Sequence, residues 1–224
     1  MEDSAEVDKS EGSEEERVNE FKELISKADG SLIPLKKNTS RKKKLFITTR
    51  FLEKPQDSED VNANPWFWGW QDDKYSLPMT GVLLVDVYES DGKQLAPLGH
   101  LDWFLSGDYA NGGGNMHDAA IPKNDHERLA NRRWNRDDLI AFRVDYDEHK
   151  QGIGSLIVAA SGVVLPKLGI KRFYPGGLLQ PAVKTYERFG IRKDDFIGDG
   201  WDRHLPIDKL AKSPQVNKSI SEFT

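Results

Sequence analysis

The sequence predicts a mixed α/β (α+β) domain in which antiparallel strands come first and a strand–helix–strand–helix order follows. Three stretches carry that expectation. Gly81 to Glu89 and Pro97 to Leu105 are apolar runs rich in β-branched and aromatic residues, separated by the turn Ser90-Asp91-Gly92-Lys93, so they pair as an antiparallel hairpin. Leu139 to Val144 is a third apolar run, and it ends in a polar turn containing glycines. From Gly152 the pattern becomes helical, with Leu156, Ile157, Ala160, Val163, Val164 and Leu168 on one broad stripe.

A chain of 224 residues, 37% hydrophobic and 31% charged, is expected to form one domain with appendages around a sizeable core. A net charge of −5 and a pI near 5.6 argue against nucleic-acid binding by the whole surface and leave room for a local basic patch. The absence of cysteine excludes disulfides, thiolate metal sites and a cysteine nucleophile. The five histidines show no metal-ligand spacing, so no metal is expected. The N-terminus is too acidic for a signal peptide, and no apolar run reaches the length of a membrane span. A cytoplasmic protein with no membrane partner is therefore expected.

Taken in order, residues 1–12 read as a disordered acidic tail. A helix is expected over 13–30: Ser13 and Glu16 have capping-box spacing, Val18, Phe21, Leu24 and Ile25 mark one face, and Gly30 stops it. That helix packs on the domain or docks on a partner. Lys36 to Lys44 holds six basic residues in nine, which fits a phosphate patch or a solvated loop beside a strand. Leu45 to Leu52 has strand composition. Pro65 to Trp70 packs four aromatics into six positions, as a core closure, a groove lining or a partner surface. On the hairpin, Asp86, Glu89, His100 and Asp102 are polar. His100 and Asp102 share a face, flanking a cleft or facing solvent. About 107–137 reads as an inserted mobile loop. Lys171 to Tyr174 is a short strand, and a last helix face is formed by Ala182, Val183, Tyr186 and Phe189. This order implies a parallel strand pair with a right-handed crossover. Ile191 to Ile197 reads as a strand, 204–211 as a final strand or helix, and 212–224 as a flexible tail.

The turn at Asp145 to Ser155 carries the chemistry. A strand entering a helix through glycines aims several backbone N–H groups and the positive end of the helix dipole at one point, where an anion such as a pyrophosphate fits. The segment His149-Lys150-Gln151-Gly152-Ile153-Gly154 resembles the Arg/Gln-x-x-Gly-x-Gly/Ala acyl-CoA motif of the GCN5-related N-acetyltransferase (GNAT) superfamily. Ala182 to Ile191 resembles that family's Ala-x-x-x-Tyr-Glu-x-x-Gly-hydrophobic helix end, and the spacing between the two blocks fits. The clear resemblance spans about Leu139 to Phe196. His149 stands where the family has Arg or Gln, and Leu179 where many members have Asn, with Gln180 beside it.

The resemblance implies a GNAT-like mixed, splayed central sheet with flanking helices, over residues 31–211. It implies acetyl-CoA as cosubstrate, its pyrophosphate held by Lys150, Gln151, Gly152, Ile153, Gly154 and Ser155. Its pantetheine would lie along the backbone of Phe142, Arg143, Val144 and Asp145. Tyr186 would return a proton to the departing thiolate. The acceptor would be an amine, small or on a protein lysine or N-terminus. For the base that deprotonates it, Asp145, Glu89, Asp102 and His100 stand open. Trp201 and His204 are candidates for the acceptor wall or for packing. The competing expectation is a catalytically weak GNAT-fold module that contacts a protein or nucleic-acid partner. A homodimer is left open.

Overall fold

The computed structural model describes residues 12–53, 80–112, 142–144, 150–175, 180–198 and 203–224. They form a mixed α/β arrangement in which helices α1 (Glu14–Ile25), α2 (Ile153–Lys167), α3 (Gln180–Arg188), α4 (Ile207–Ala211) and α5 (Pro214–Ser221) accompany one sheet. The strands are β1 (Ile33–Asn38), β2 (Lys44–Glu53), β3 (Gly81–Ser90), β4 (Leu95–Ser106), β5 (Tyr109–Asn111), β6 (Phe142–Val144), β7 (Arg172–Tyr174) and β8 (Leu205–Pro206). Their order is β1-β2-β3-β4-β5-β7-β8, and β6 pairs β4. No described helix is long and apolar enough to cross a membrane.

The antiparallel half follows the hairpin reading. Strand β2 pairs β3 from Lys44↔Ser90 to Glu53↔Gly81, and β3 pairs β4 from Gly81↔Leu105 to Ser90↔Leu95, with a register shift after Val87. Alternation then sends one set of side chains to the helices: Leu45 and Ile47 of β2, Leu83, Val85 and Val87 of β3, Leu101, Trp103 and Leu105 of β4. Val18, Phe21 and Ile25 of α1, and Leu156, Ile157, Ala160 and Val164 of α2, complete that core. Burying a large apolar side chain of this kind is worth about 2–3 kcal/mol. Trp103 sits at the centre, its indole N–H donating to Ser161 Oγ at 2.8 Å and its ring edge-on to Phe173 at 5.9 Å.

Helix α2 is more enclosed than a single stripe predicts. Ser155 through Gly162 are all buried, so the helix is covered on every side, as a helix apolar all round must be. Gly162 makes room for α4, since a Cβ there would stand 3.1 Å from Leu210 Cγ. The helix runs on through Pro166 to Lys167.

Several expectations are corrected. Helix α1 ends at Ile25, before Gly30, because Ala28 (φ 49) turns the chain and its carbonyl accepts from Phe51 N–H at 2.9 Å. The first part of the basic run is a strand: Lys36 and Lys37 lie on β1, an edge strand antiparallel to β2. Of the expected insertion, Tyr109–Asn111 is the sheet strand β5, while residues 113–137 lie outside the described residues, as does Pro65 to Trp70. Lys193–Asp195 is a 3₁₀ turn where a strand is expected, and only Ile197 bridges His204. The expected flexible tail is packed structure: Ser13-like capping recurs at Ser213, α5 follows, and Val216, Ile220 and Phe223 are buried in the core. Pro214 at the first turn, with apolar residues at helical spacing, forms this helix despite its polar composition.

Candidate functional site

Strand β4 has β3 along one flank, so β5 and β6 share the other. Strand β5 pairs Phe104 to Ser106, and β6 pairs Gly99 to Leu101. Both run antiparallel to β4, so they are two segments of one lane, pointing the same way. Strand β7 runs parallel to β5, from Tyr109↔Arg172 to Asn111↔Tyr174, and the Gly112 N–H closes the pairing on the Tyr174 carbonyl at 2.8 Å. Pro175 follows. The parallel partner of β7 is therefore β5 and not β6, because a three-residue strand ends where the lane passes from β5 to β6. Among the described residues β6 pairs β4 alone, and its outer backbone edge meets no strand. The pairing of β5 and β7 is held at its start by Arg172 and Asp108, 2.8 Å apart, and the guanidinium keeps the Asp108 carboxyl below its usual range.

In the sequence β6 precedes the start of α2. Of the residues expected on β6, Phe142, Arg143 and Val144 stand opposite Leu101, His100 and Gly99. Asp145 lies outside the described residues, as do His149, Leu179 and Trp201. Lys150 is exposed with φ 67. Gly152 is the N-cap of α2 at φ 89, a conformation that costs an L side chain but not glycine. No side chain caps this helix and no acidic residue stands in its first turn. The first-turn amides of Ile153, Gly154 and Ser155 have no acceptor within the helix by its own geometry. Residues Lys150 to Ser155 thus form the turn into α2 and its first residues.

Two cations from distant segments converge on the same turn. Lys37 of β1 donates to the Gln151 carbonyl at 2.6 Å, with its ammonium 4.5 Å from the centre of the Phe223 ring. Arg188, at the end of α3, donates to Ser155 Oγ at 3.5 Å. Sequence reading places neither at the cradle; the basic run containing Lys37 is the one hint. The C-terminal segment also reaches it. A Cβ on Gly152 would stand 3.0 Å from Glu222 Oε2 and 3.4 Å from the Phe223 ring, and the Phe223 carbonyl accepts from Lys36 N–H at 2.7 Å.

The proposed proton donor and bases are placed less uniformly. Tyr186 is 1% exposed within the core, and burial alone pushes its phenol far above its usual range. Glu89 is buried in ion pairs with Lys43 at 2.8 Å and Arg41 at 3.7 Å, a structural arrangement that removes it from the candidates. His100 and Asp102 are buried, not on a solvent face. His204 hydrogen bonds through its backbone to Ile197 in both directions, at 2.9 Å. Among the described residues no group of three or more His, Asp or Glu is placed to hold a metal ion.

No protein-family model matches the chain, and neither a curated protein nor a solved structure matches it.

Proposed function

We propose that the chain is an acyl-CoA-dependent N-acyltransferase with the GNAT fold, transferring acetyl from acetyl-CoA to an amine in the cytoplasm. The observation that carries it is the outer edge of β6, which meets no strand among the described residues, in the strand that precedes the uncapped start of α2 in the sequence. A pantetheine arm has amides like a peptide and can pair with such an edge, while the pyrophosphate takes the amides of Ile153 to Ser155. Lys37 and Arg188 add positive charge beside it. In the reaction a neutral amine attacks the thioester carbonyl, and a backbone N–H at the β6 edge steadies the oxyanion. The C–S bond then breaks, the amine nitrogen gives up a proton, and the thiolate takes one.

Tyr186 is the residue the family resemblance assigns to that last proton. Burial keeps its phenol protonated at any working pH, and it also makes the proton harder to release. Each pKa unit by which the donor exceeds the thiol costs about 1.4 kcal/mol. The burial of Tyr186, together with Glu222 and Phe223 lying over Gly152, favours a second reading: a GNAT-fold module that binds without turnover.

Free CoA thiol, followed while acetyl-CoA is incubated with panels of amines and peptides, separates the two. Release that depends on an added amine supports the transferase. Tyr186→Phe is expected to slow that release while leaving acetyl-CoA binding intact; unchanged turnover would remove Tyr186 from the mechanism. No amine-dependent release with any panel member, in a protein that still binds acetyl-CoA, leaves the binding module.

A further inference from the structure

The end of the sheet at the β1–β2 turn carries a group of lysines that neither the core nor the start of α2 uses. Asn38 pairs Lys44, Lys44 pairs Ser90 and Ser90 pairs Leu95, so the turns at 39–43 and 91–94 project from the same end of the sheet. Leu45 is in the core, so alternation sends Lys44 to the opposite face. Lys36, between buried Leu35 and the Lys37 that reaches Gln151, is exposed on that face as well. Lys42 is exposed in the first turn, its N–H donating to the Thr39 carbonyl at 2.9 Å, and Lys93 is exposed in the second. The carboxylates of this end are engaged elsewhere. Glu89 pairs with Lys43 at 2.8 Å and with Arg41 at 3.7 Å, and Asp91 accepts from the backbone N–H groups of Lys93 and Gln94 at 2.9 and 3.1 Å. Among the described residues Lys36, Lys42, Lys44 and Lys93 form no ion pair.

Four exposed ammonium groups at one end of a chain of net charge −5 concentrate positive potential locally. Their complement is a segment bearing several carboxylates, and the chain carries one. Residues 1–11, outside the described residues, hold Glu2, Asp3, Glu6, Asp8 and Glu11 against Lys9 alone. Reach permits the contact. The C-terminal end of α1 is fixed at the far part of β2, where Thr49 Oγ1 donates to the Ile25 carbonyl at 2.5 Å. Val18 and Phe21 share the core with Leu45 and Ile47, so α1 lies over the sheet. Helix α1 is about 18 Å long, Thr49 is about 24 Å along the chain from Lys42, and eleven extended residues span up to about 36 Å. A free nucleic acid would meet the repulsion of the net negative charge, whereas a tethered segment competes at a local concentration on the order of millimolar. We propose that residues 2–11 dock through their carboxylates on Lys36, Lys42, Lys44 and Lys93 and cover this end of the sheet. Exposed ion pairs are individually weak and screened by salt, so the contact forms at low salt and opens at high salt. It is independent of the acyl-transfer reading.

The chain has no cysteine, so Ser4→Cys places a single nitroxide spin label in the segment on the full chain. NMR then follows the backbone amides of Lys36, Lys42, Lys44 and Lys93. Lys209 and Lys212, already paired with Asp195 and Asp208, serve as comparisons. At about 10 mM salt the label is expected to broaden the four amides and to spare the two comparisons, and at about 1 M salt the broadening should be lost. It should also be lost when Lys42→Glu and Lys44→Glu are combined. The same loss is expected when the segment alone is neutralised by Glu2→Gln, Asp3→Asn, Glu6→Gln, Asp8→Asn and Glu11→Gln, a change that touches no described residue. Equal broadening at all six lysines, broadening that survives high salt, or broadening that survives the neutralised segment would overturn the proposal. So would no broadening at low salt. If these amides then shift on adding a short single-stranded oligothymidylate, the surface belongs to nucleic acid instead.

Discussion

Helices α1 and α2 begin in opposite ways. The start of α1 completes itself: Ser13 Oγ accepts from Glu16 N–H at 3.2 Å, Glu16 Oε2 accepts from Ser13 N–H at 2.7 Å, and three glutamates fill the first turn. The start of α2 has a glycine cap, no side-chain acceptor and no acidic residue, and cations approach it from β1 and α3. The helix dipole attracts negative charge to the N-terminal start of either helix. In α1 the chain supplies that charge within its own first turn. In α2 no side chain caps the start and no acid stands in the first turn, while positive side chains lie near it. A carboxylate beside Gly152, that of Glu222, comes from the other end of the chain.

The largest expected break in this contrast is Gly152→Val. A side chain at φ 89 is strained, and its Cβ would press on Glu222 and Phe223. We expect a stability loss of about 2–3 kcal/mol in chemical denaturation and no measurable acetyl-CoA binding. Ser13→Ala removes the capping box of α1 and should cost about 1 kcal/mol in the same denaturation experiment while leaving acetyl-CoA affinity unchanged. A matching loss of affinity would mean the two helix starts are not independent.

Much of this contrast is legible in the sequence, and the reasons differ by element. The capping box needs only residues three apart, and β3 and β4 are long apolar runs with a turn between them. The Gly152 turn is readable because a strand pattern meets a helix pattern there. By contrast, β1 is hidden, since Pro34, Lys36 and Lys37 give an edge strand the composition of a loop. Helix α5 is hidden by its polar residues, although Val216, Ile220 and Phe223 have helical spacing. The division of one lane between β5 and β6 depends on pairing across the chain, which no local pattern reports. Lys37 reaches Gln151 across 114 residues, so only the folded chain joins it to the cradle.

Smaller effects sharpen the account of α2. Arg188→Ala and Glu222→Gln should act in opposite directions on acetyl-CoA affinity, the first weakening and the second strengthening it by about two- to fivefold at low salt. Both shifts should fade as salt is raised, and calorimetry over a salt series reads them. The smallest effect lies away from both helix starts. Hydrogen bonds from Arg172 to Asp108 and from Lys209 to Asp195 hold these carboxyls below the usual 3.8. A carboxyl with a lowered folded pKa stabilises the fold above its unfolded pKa and loses that contribution as pH falls through the folded value. Thermal melting should therefore drop below about pH 4, and in Asp108→Asn the drop should be shallower.

Titration calorimetry of the intact chain with acetyl-CoA, set beside Ser13→Ala and Gly152→Val, tests the central claim most directly. Saturable binding to the parent chain and to Ser13→Ala, lost in a folded Gly152→Val, is the predicted result. No binding to the parent chain at high micromolar acetyl-CoA, or equal binding by a folded Gly152→Val, would contradict it.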